Sequence, residues 1–166
     1  MTQVQEKPAP GAQRANLQAI TPHLVCAGAA DAIDFYKKAF GAVETIRLQG
    51  KNGKLMHAAI KIGNAEVMLV DEAPEWGSYS PTSLSGTPVT MHLYVADVDA
   101  FVEQAVKEGA LLRMPVADMF WGDRYGMIED PFGHKWSIAT HLRDMNVHEI
   151  EEAMKTFMPS SDECKG

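Results

Sequence analysis

Apolar and polar positions along the chain fall into two patterns that repeat in the same order. Residues 20–27, "ITPHLVCA", form a short apolar run that predicts a strand. Residues 29–41, "AADAIDFYKKAFG", place Ala32, Phe35, Tyr36 and Phe40 near one face at helical spacing, and Gly41 suits the helix stop. "AVETIRLQG", "KLMHAAIKIG" and "AEVMLVDE" then predict three strands, the first two joined at the turn-forming Asn52-Gly53. After Asp71 come seventeen residues rich in Gly, Pro and Ser, "EAPEWGSYSPTSLSGTP", too long for a simple turn, which read as a linker or lid. The first pattern then restarts. Residues 89–96 predict a strand and 97–110 a helix ending near Gly109. "LLRMPVADMFW", "DRYGMIEDPFG" and "KWSIATH" predict further strands, and Ile150, Met154 and Phe157 mark a last helix over 147–157.

The two halves align. "HLVCAGAADAIDFYKKAFGA" from His23 and "HLYVADVDAFVEQAVKEGA" from His92 share the order His-Leu, apolar strand, Asp, amphipathic helix, Gly-Ala, at an offset of 69 residues. Such a repeat predicts an α+β fold of two tandem βαβββ modules, residues 20–71 and 89–140, with curved, mostly antiparallel sheets. One module cannot cover its own sheet, so two must pack together. The domain is expected over 19–158, with a disordered polar arm at 1–18 and a loose tail at 159–166.

Composition narrows the function. The 166 residues are 46% hydrophobic, enough for a core, and carry a net charge of −7. Nucleic acid is not an expected partner, because phosphate binding needs a basic footprint. A membrane is not expected either, since no apolar run reaches the roughly 18–20 residues that span a bilayer. Cys26 lies in an apolar run and Cys164 in a polar tail, so no disulfide between them is expected and a reducing cytoplasm fits.

The strings "ITPHLVCAGAADAIDFYKKAFGA", "HAAIKIGNAEVMLVDE", "HLYVADVDAFVEQAVKEGA" and "FWGDRYGMIEDPFGHKWSIATH" resemble the vicinal oxygen chelate superfamily, which includes glyoxalase I, bleomycin-resistance proteins and extradiol dioxygenases. More narrowly they resemble its PhnB-like subgroup, over residues 20–158. The resemblance implies two cupped sheets that meet to enclose a site, a small-molecule ligand, and a homodimer. It also implies a divalent metal in the enzymes, which polarises vicinal oxygens. Carried over residue by residue, the ligand positions fall on Thr21, Thr90, Ser137 and either Met68 or Val67, none of the expected type. The glyoxalase I metal site is therefore not expected here.

Other residues remain as site candidates. His23 and His92 are equivalent in the repeat, and each shares a strand face with a Thr at an expected ligand position. With His57 they can hold a divalent metal in a shifted place, hydrogen-bond an oxygen-rich ligand, or serve as ordinary strand residues. Tyr94 shares the face of His92. Trp121, Arg124 and Tyr125 suit a flat or anionic ligand, unless Trp121 is core and Arg124 pairs with Asp118 or Asp123. The expected cup has Trp121, Arg124, Tyr125 and Ser137 as one wall and His23, His57 and His92 as the other. Trp76 and Tyr79 are candidates to close over it. Glu129 reads as a general base or a solvated surface group. Met56, Met68, Met91 and Met127 read as core filler or pocket lining. Two functions stay open: metal- or His-assisted proton transfer, and non-catalytic binding of a drug or metabolite.

Overall fold

A computed structural model describes residues 20–157. The expected arm and tail, and Cys164, lie outside the described residues. Two four-stranded sheets are present. The first contains β1 (His23–Cys26), β2 (Val43–Gln49), β3 (Leu55–Ile62) and β4 (Ala65–Asp71) in the order β1-β4-β3-β2. The second contains β5 (Thr90–Tyr94), β6 (Leu111–Asp118), β7 (Asp123–Glu129) and β8 (Lys135–His141) in the order β5-β8-β7-β6. The helices are α1 (Ala29–Ala39), α2 (Val98–Lys107) and α3 (Val147–Phe157).

In each sheet the first strand runs parallel to the fourth and the other pairings are antiparallel. The registers are equivalent: His23 pairs with Met68 in one sheet and His92 with Ser137 in the other. The repeat extends to the way each helix starts. Gly28 precedes α1 with no side-chain cap of its own, and the Asp71 carboxylate accepts from the N–H groups of Gly28 and Ala29 at 3.1 and 2.7 Å. Thr140, in the corresponding place on β8, accepts from the N–H of Val98 at 2.8 Å. α2 has in addition its own cap, Asp97, which accepts from Ala100.

α1 and α2 lie against one face of each sheet, and this inner layer is one shared core. Alternation along β1 buries Leu24 and Cys26, while β3 and β4 add Ala58, Ile60, Val67 and Leu69. From α1 come Ile33, Phe35 and Tyr36, and from the second module Val98, Val102, Ile128, Trp136 and Ile138. The two tandem modules are present as expected; they join through their helix-covered faces, and the two sheets are not closed on one another. The Cys26 thiol is free and fully buried, and burial pushes its pKa far up, so it stays protonated.

The turn Asp130-Pro131-Phe132-Gly133 between β7 and β8 binds the modules together. Gly133 adopts φ +85°, which an L side chain rarely accepts, and a Cβ there would meet Pro81 at 3.0 Å. The buried Asp130 side chain accepts from the Phe132 and His134 N–H groups at 2.9 Å each. Its second oxygen accepts from the Trp136 indole at 2.9 Å and from the Tyr36 hydroxyl of α1 at 2.6 Å. The long connection after β4 packs on the same turn. It carries a 3-10 turn at Pro74–Trp76, and its buried Ser80 bonds Thr82 and Ser83 while Glu72 accepts from the Ser80 N–H and the Ser83 hydroxyl.

Tyr36→Phe should lower the unfolding free energy by about 1–3 kcal/mol, because it leaves a buried acceptor short of one donor. Asp130→Asn should cost more, since an amide cannot accept at both ends. Urea unfolding measures both, and unchanged midpoints would show that the turn does not hold the modules.

Candidate functional site

The open face of the second sheet follows from the turn's register. Counting outward from it pairs Met127 with Ser137, Tyr125 with Ala139 and Asp123 with His141. Alternate residues share a face, so Asp123, Tyr125 and Met127 stand beside Ser137, Ala139 and His141. His92 and Tyr94 of β5 join them: the His92 Nδ1 lies 2.7 Å from Ser137 Oγ, and the Tyr94 hydroxyl donates to Asp123 at 3.3 Å.

Rings form a connected layer on this face. His92 meets Tyr94 edge-on at 4.6 Å between centroids and stacks with Tyr125 at 6.1 Å and 18°. Tyr125 meets Trp121 at 5.5 Å, Trp121 meets Phe120 at 4.9 Å, and Phe120 meets Phe157 of α3 at 5.3 Å. Ser137, Ala139 and Asp123 are buried, whereas Tyr94 is 60% exposed. Gly122 places Trp121 and Asp123. Its φ is +99°, and a Cβ there would lie 2.5 Å from the Arg143 carbonyl, so only glycine lets the chain pass this close.

Asp123 organises the polar part. Its carboxylate accepts from the Tyr94 hydroxyl and the Trp121 indole at 3.3 and 3.2 Å, and lies 2.8 Å from His141 Nδ1. The other His141 nitrogen lies 3.0 Å from Asp144. Hydrogen bonds to these two carboxylates hold the His141 pKa above the ordinary imidazole value. Desolvation and the nearby Asp123 charge raise that of the Tyr94 phenol.

The expected walls are rearranged. Trp121, Tyr125 and Ser137 share this face with His92 and Tyr94. Arg124 does not, because neighbours on a strand point to opposite sides. Its guanidinium pairs with Asp99 of α2 and with Asp118, and those bonds push its pKa up. His23 and His57 stand on the open face of the first sheet, with ring centroids 6.1 Å apart and edge-on. Burial, then the neighbouring His57, lowers the His23 pKa. By register, His57 occupies the place in the first module that Tyr125 occupies in the second. Among the described residues no hydrogen bond or ring contact joins the His23–His57 pair to the His92–Tyr125 pair.

Tyr79 and His23 line a cavity of about 260 Å³ between β1 and the connection, together with Met91 and His134. Trp76 lies apart from it, 77% exposed. Glu129 pairs with Arg113 at 2.9 Å. Sequence reasoning passed over Asp123, His134 and His141. The first and last could have been found by counting outward from the turn. His134 is buried with Nε2 3.7 Å from Cys26 Sγ, and burial lowers its pKa.

Comparison with known proteins agrees with this architecture. A family model described as glyoxalase/bleomycin resistance protein/dioxygenase superfamily matches residues 17–138. The chain belongs to that superfamily. Rv0887c of Mycobacterium tuberculosis is 51% identical over 141 residues, covering 83% of each chain. The crystal structure of TioX from Micromonospora sp. ML1 is similar at 26% identity and TM-score 0.59, over 75% of this chain and 99% of that one. The PhnB protein of Bacillus cereus shares the fold at 16% identity and TM-score 0.57, over 74% and 99%. Among the described residues no helix is long and apolar enough to cross a membrane.

The superfamily's enzymes imply a divalent ion, and the donors here do not fit one. Thr21, Thr90, Ser137 and either Met68 or Val67 occupy the positions carried over, and neutral hydroxyls, a thioether or an alkyl group are poor ligands for it. No group of three or more His, Cys, Asp or Glu side chains among the described residues could hold a metal.

His141 should titrate above the ordinary imidazole value of about 6.5, and Asp144→Asn should lower its midpoint. Because its folded pKa is raised, its stabilising contribution is complete below that reference value and fades as pH rises through the folded one. His134 has the opposite sign: its depressed folded pKa makes its contribution fade as acid protonates it. Ring-proton NMR titrations test both directions.

Proposed function

We propose that the protein binds a flat, oxygen-bearing small molecule on the open face of the second sheet. The observation that supports this reading is the ring layer of His92, Tyr94, Tyr125 and Trp121 above the buried Asp123 and Ser137. Offset or edge contacts with such rings contribute about 0.5–1.5 kcal/mol each beyond burial. A globular chain also rarely leaves a connected aromatic layer beside buried polar groups without use.

The charge on this face argues for a neutral or cationic ligand. Arg124, the cation expected there, is turned to the opposite side by strand alternation. The carboxylate on the face is Asp123, and His141 is already bridged between two carboxylates. An anionic ligand would meet no free cation among these groups. Oxygen atoms on the ligand would face Tyr94, Tyr125, Ser137 and His92. The donor set disfavours glyoxalase I chemistry, and simple binding, as in the bleomycin-resistance relatives, is the plainest form of this function.

The open faces also suit a second copy of the chain. Val43, Ile46 and Leu48 on edge strand β2, and Leu111 and Leu112 on edge strand β6, are exposed apolar residues on unpaired sheet edges. A homodimer would cover them. Light scattering should give twice the chain mass, and Ile46→Lys with Leu48→Lys should halve it. A parent that is monomeric at micromolar concentration would overturn the dimer.

Screening flat quinones, flavonoid-like phenols and planar heterocycles by calorimetry should yield ligands whose affinity falls about tenfold or more in Tyr125→Ala and Trp121→Ala. Arg124→Ala should bind as the parent does. Affinity that followed Arg124 and ignored both rings would place the ligand elsewhere.

A further inference from the structure

We infer that α3 is a strap that closes over the ring layer of the second sheet, and that its apolar stripe is the outer wall of the ligand site. The inference rests on the ligand occupying that sheet face.

α3 starts and holds itself with its own side chains. The Asn146 side chain accepts from the Glu149 N–H at 3.0 Å, and the Glu149 carboxylate accepts from the Asn146 N–H at 2.8 Å, so the first turn is capped from both directions. Lys155 pairs with Glu152 at 2.5 Å. A lone helix of 11 residues is nevertheless marginal in water, and most helices are held by packing an apolar face. Val147, Ile150, Met154 and Phe157 form such a face at helical spacing. Nothing in the chain covers it: none of the residues of α3 is buried, and Val147 is 72% exposed.

The root of α3 fixes what it can cover. Leu142 and Arg143 donate their N–H groups to the Gly122 carbonyl at 3.0 and 3.1 Å, and His141 bridges Asp123 and Asp144. The chain therefore enters α3 from the turn that places Trp121 and Asp123. At its other end Phe157, the last residue of the stripe, meets Phe120, which leads through Trp121 to Tyr125. Both ends thus meet the segment from which the ring layer starts. With 11 residues α3 is about 16 Å long, whereas the three strands that carry the rings, β7, β8 and β5, span about 10 Å. Met145 and Asn146 lie outside regular structure between the root and the helix, and a turn about them lays the stripe across the rings.

A flat ligand on a bare sheet face keeps one side in water, yet small-molecule sites bury about 70–90% of what they hold. The aromatic residues of the long connection are placed elsewhere. Tyr79 lines the cavity beside β1, and Trp76 borders β3 and β4 of the first sheet. α3 is the element with an uncovered apolar side next to the rings. It also lies beyond the matched superfamily region, which ends at residue 138. A ligand on the rings gives the stripe the apolar partner that the free chain lacks, so uptake and closure are one equilibrium.

Nile red tests this on the full chain. The dye is flat and neutral, carries a carbonyl oxygen, and emits further to the blue as water is excluded. The parent should bind it with blue-shifted emission, and the α3 amides should exchange more slowly with the dye bound. Met154→Ala with Phe157→Ala keeps a strong helix former at both places while removing the stripe. Its affinity should fall about tenfold, with emission moved back to the red. Glu152→Gln, on the opposite side of α3, should match the parent, and Tyr125→Ala should bind more weakly with α3 unaltered. Affinity that follows Tyr125 and ignores the α3 pair removes the strap and leaves the binding reading intact. Affinity that ignores Tyr125, or a parent that binds no dye, overturns the two together. A halved mass in light scattering for the α3 pair, with dye binding unchanged, assigns the stripe to a second copy of the chain and overturns the strap.

Discussion

The buried side chain of Asp130 receives four hydrogen bonds, and the arrangement of the two modules depends on it. Two donors belong to its own turn, one to β8 and one to α1 of the other module. Burying a carboxylate is costly unless its lone pairs are met. Here each oxygen has two donors, so the turn, the second sheet and the first helix are ordered together. Tyr36 and Trp136 are neighbours in the core for the same reason, with ring centroids 5.7 Å apart.

From that junction the rest follows. Because the turn fixes the hairpin's register, Asp123 stands opposite His141 and Met127 opposite Ser137. Because the helix-covered faces meet in the core, the opposite faces are left open, one lined by His23 and His57 and the other by His92, Tyr94, Tyr125 and Trp121. The repeat makes these faces alike in backbone and different in chemistry. Met68 against Ser137, and His57 against Tyr125, separate an apolar face with two imidazoles from an aromatic face with hydroxyls and a carboxylate.

A ligand on the open face of the second sheet would meet it at two depths. The rings supply contact area, and Asp123 holds Tyr94 and Trp121 in place. Ser137 stands where the superfamily resemblance implies a metal-binding carboxylate, and it instead fixes one histidine. The neutral hydroxyl in that position is hydrogen-bonded to His92.

Local pattern was enough to read much of this from the chain. Periodicity marked the helices, Asn52-Gly53 and Asp130–Gly133 marked turns, and the 69-residue offset marked two βαβββ modules, because these signals depend on neighbours a few residues apart or on duplication. Strand alternation put His92 with Tyr94 before any coordinates. Which sheet faces meet, and which stay open, was decided only in three dimensions, since either face of a half-apolar strand can turn inward. Arg124 shows the limit. Trp121 and Tyr125 are near it in sequence, yet one residue's difference in parity sends it to Asp99 on α2, a partner distant in sequence, selected by the packing of helix on sheet. His134 and Asp130 show it again, because burial, which turns one into a neutral core imidazole and the other into the junction of two modules, is a property of the assembled core and not of the turn that carries them.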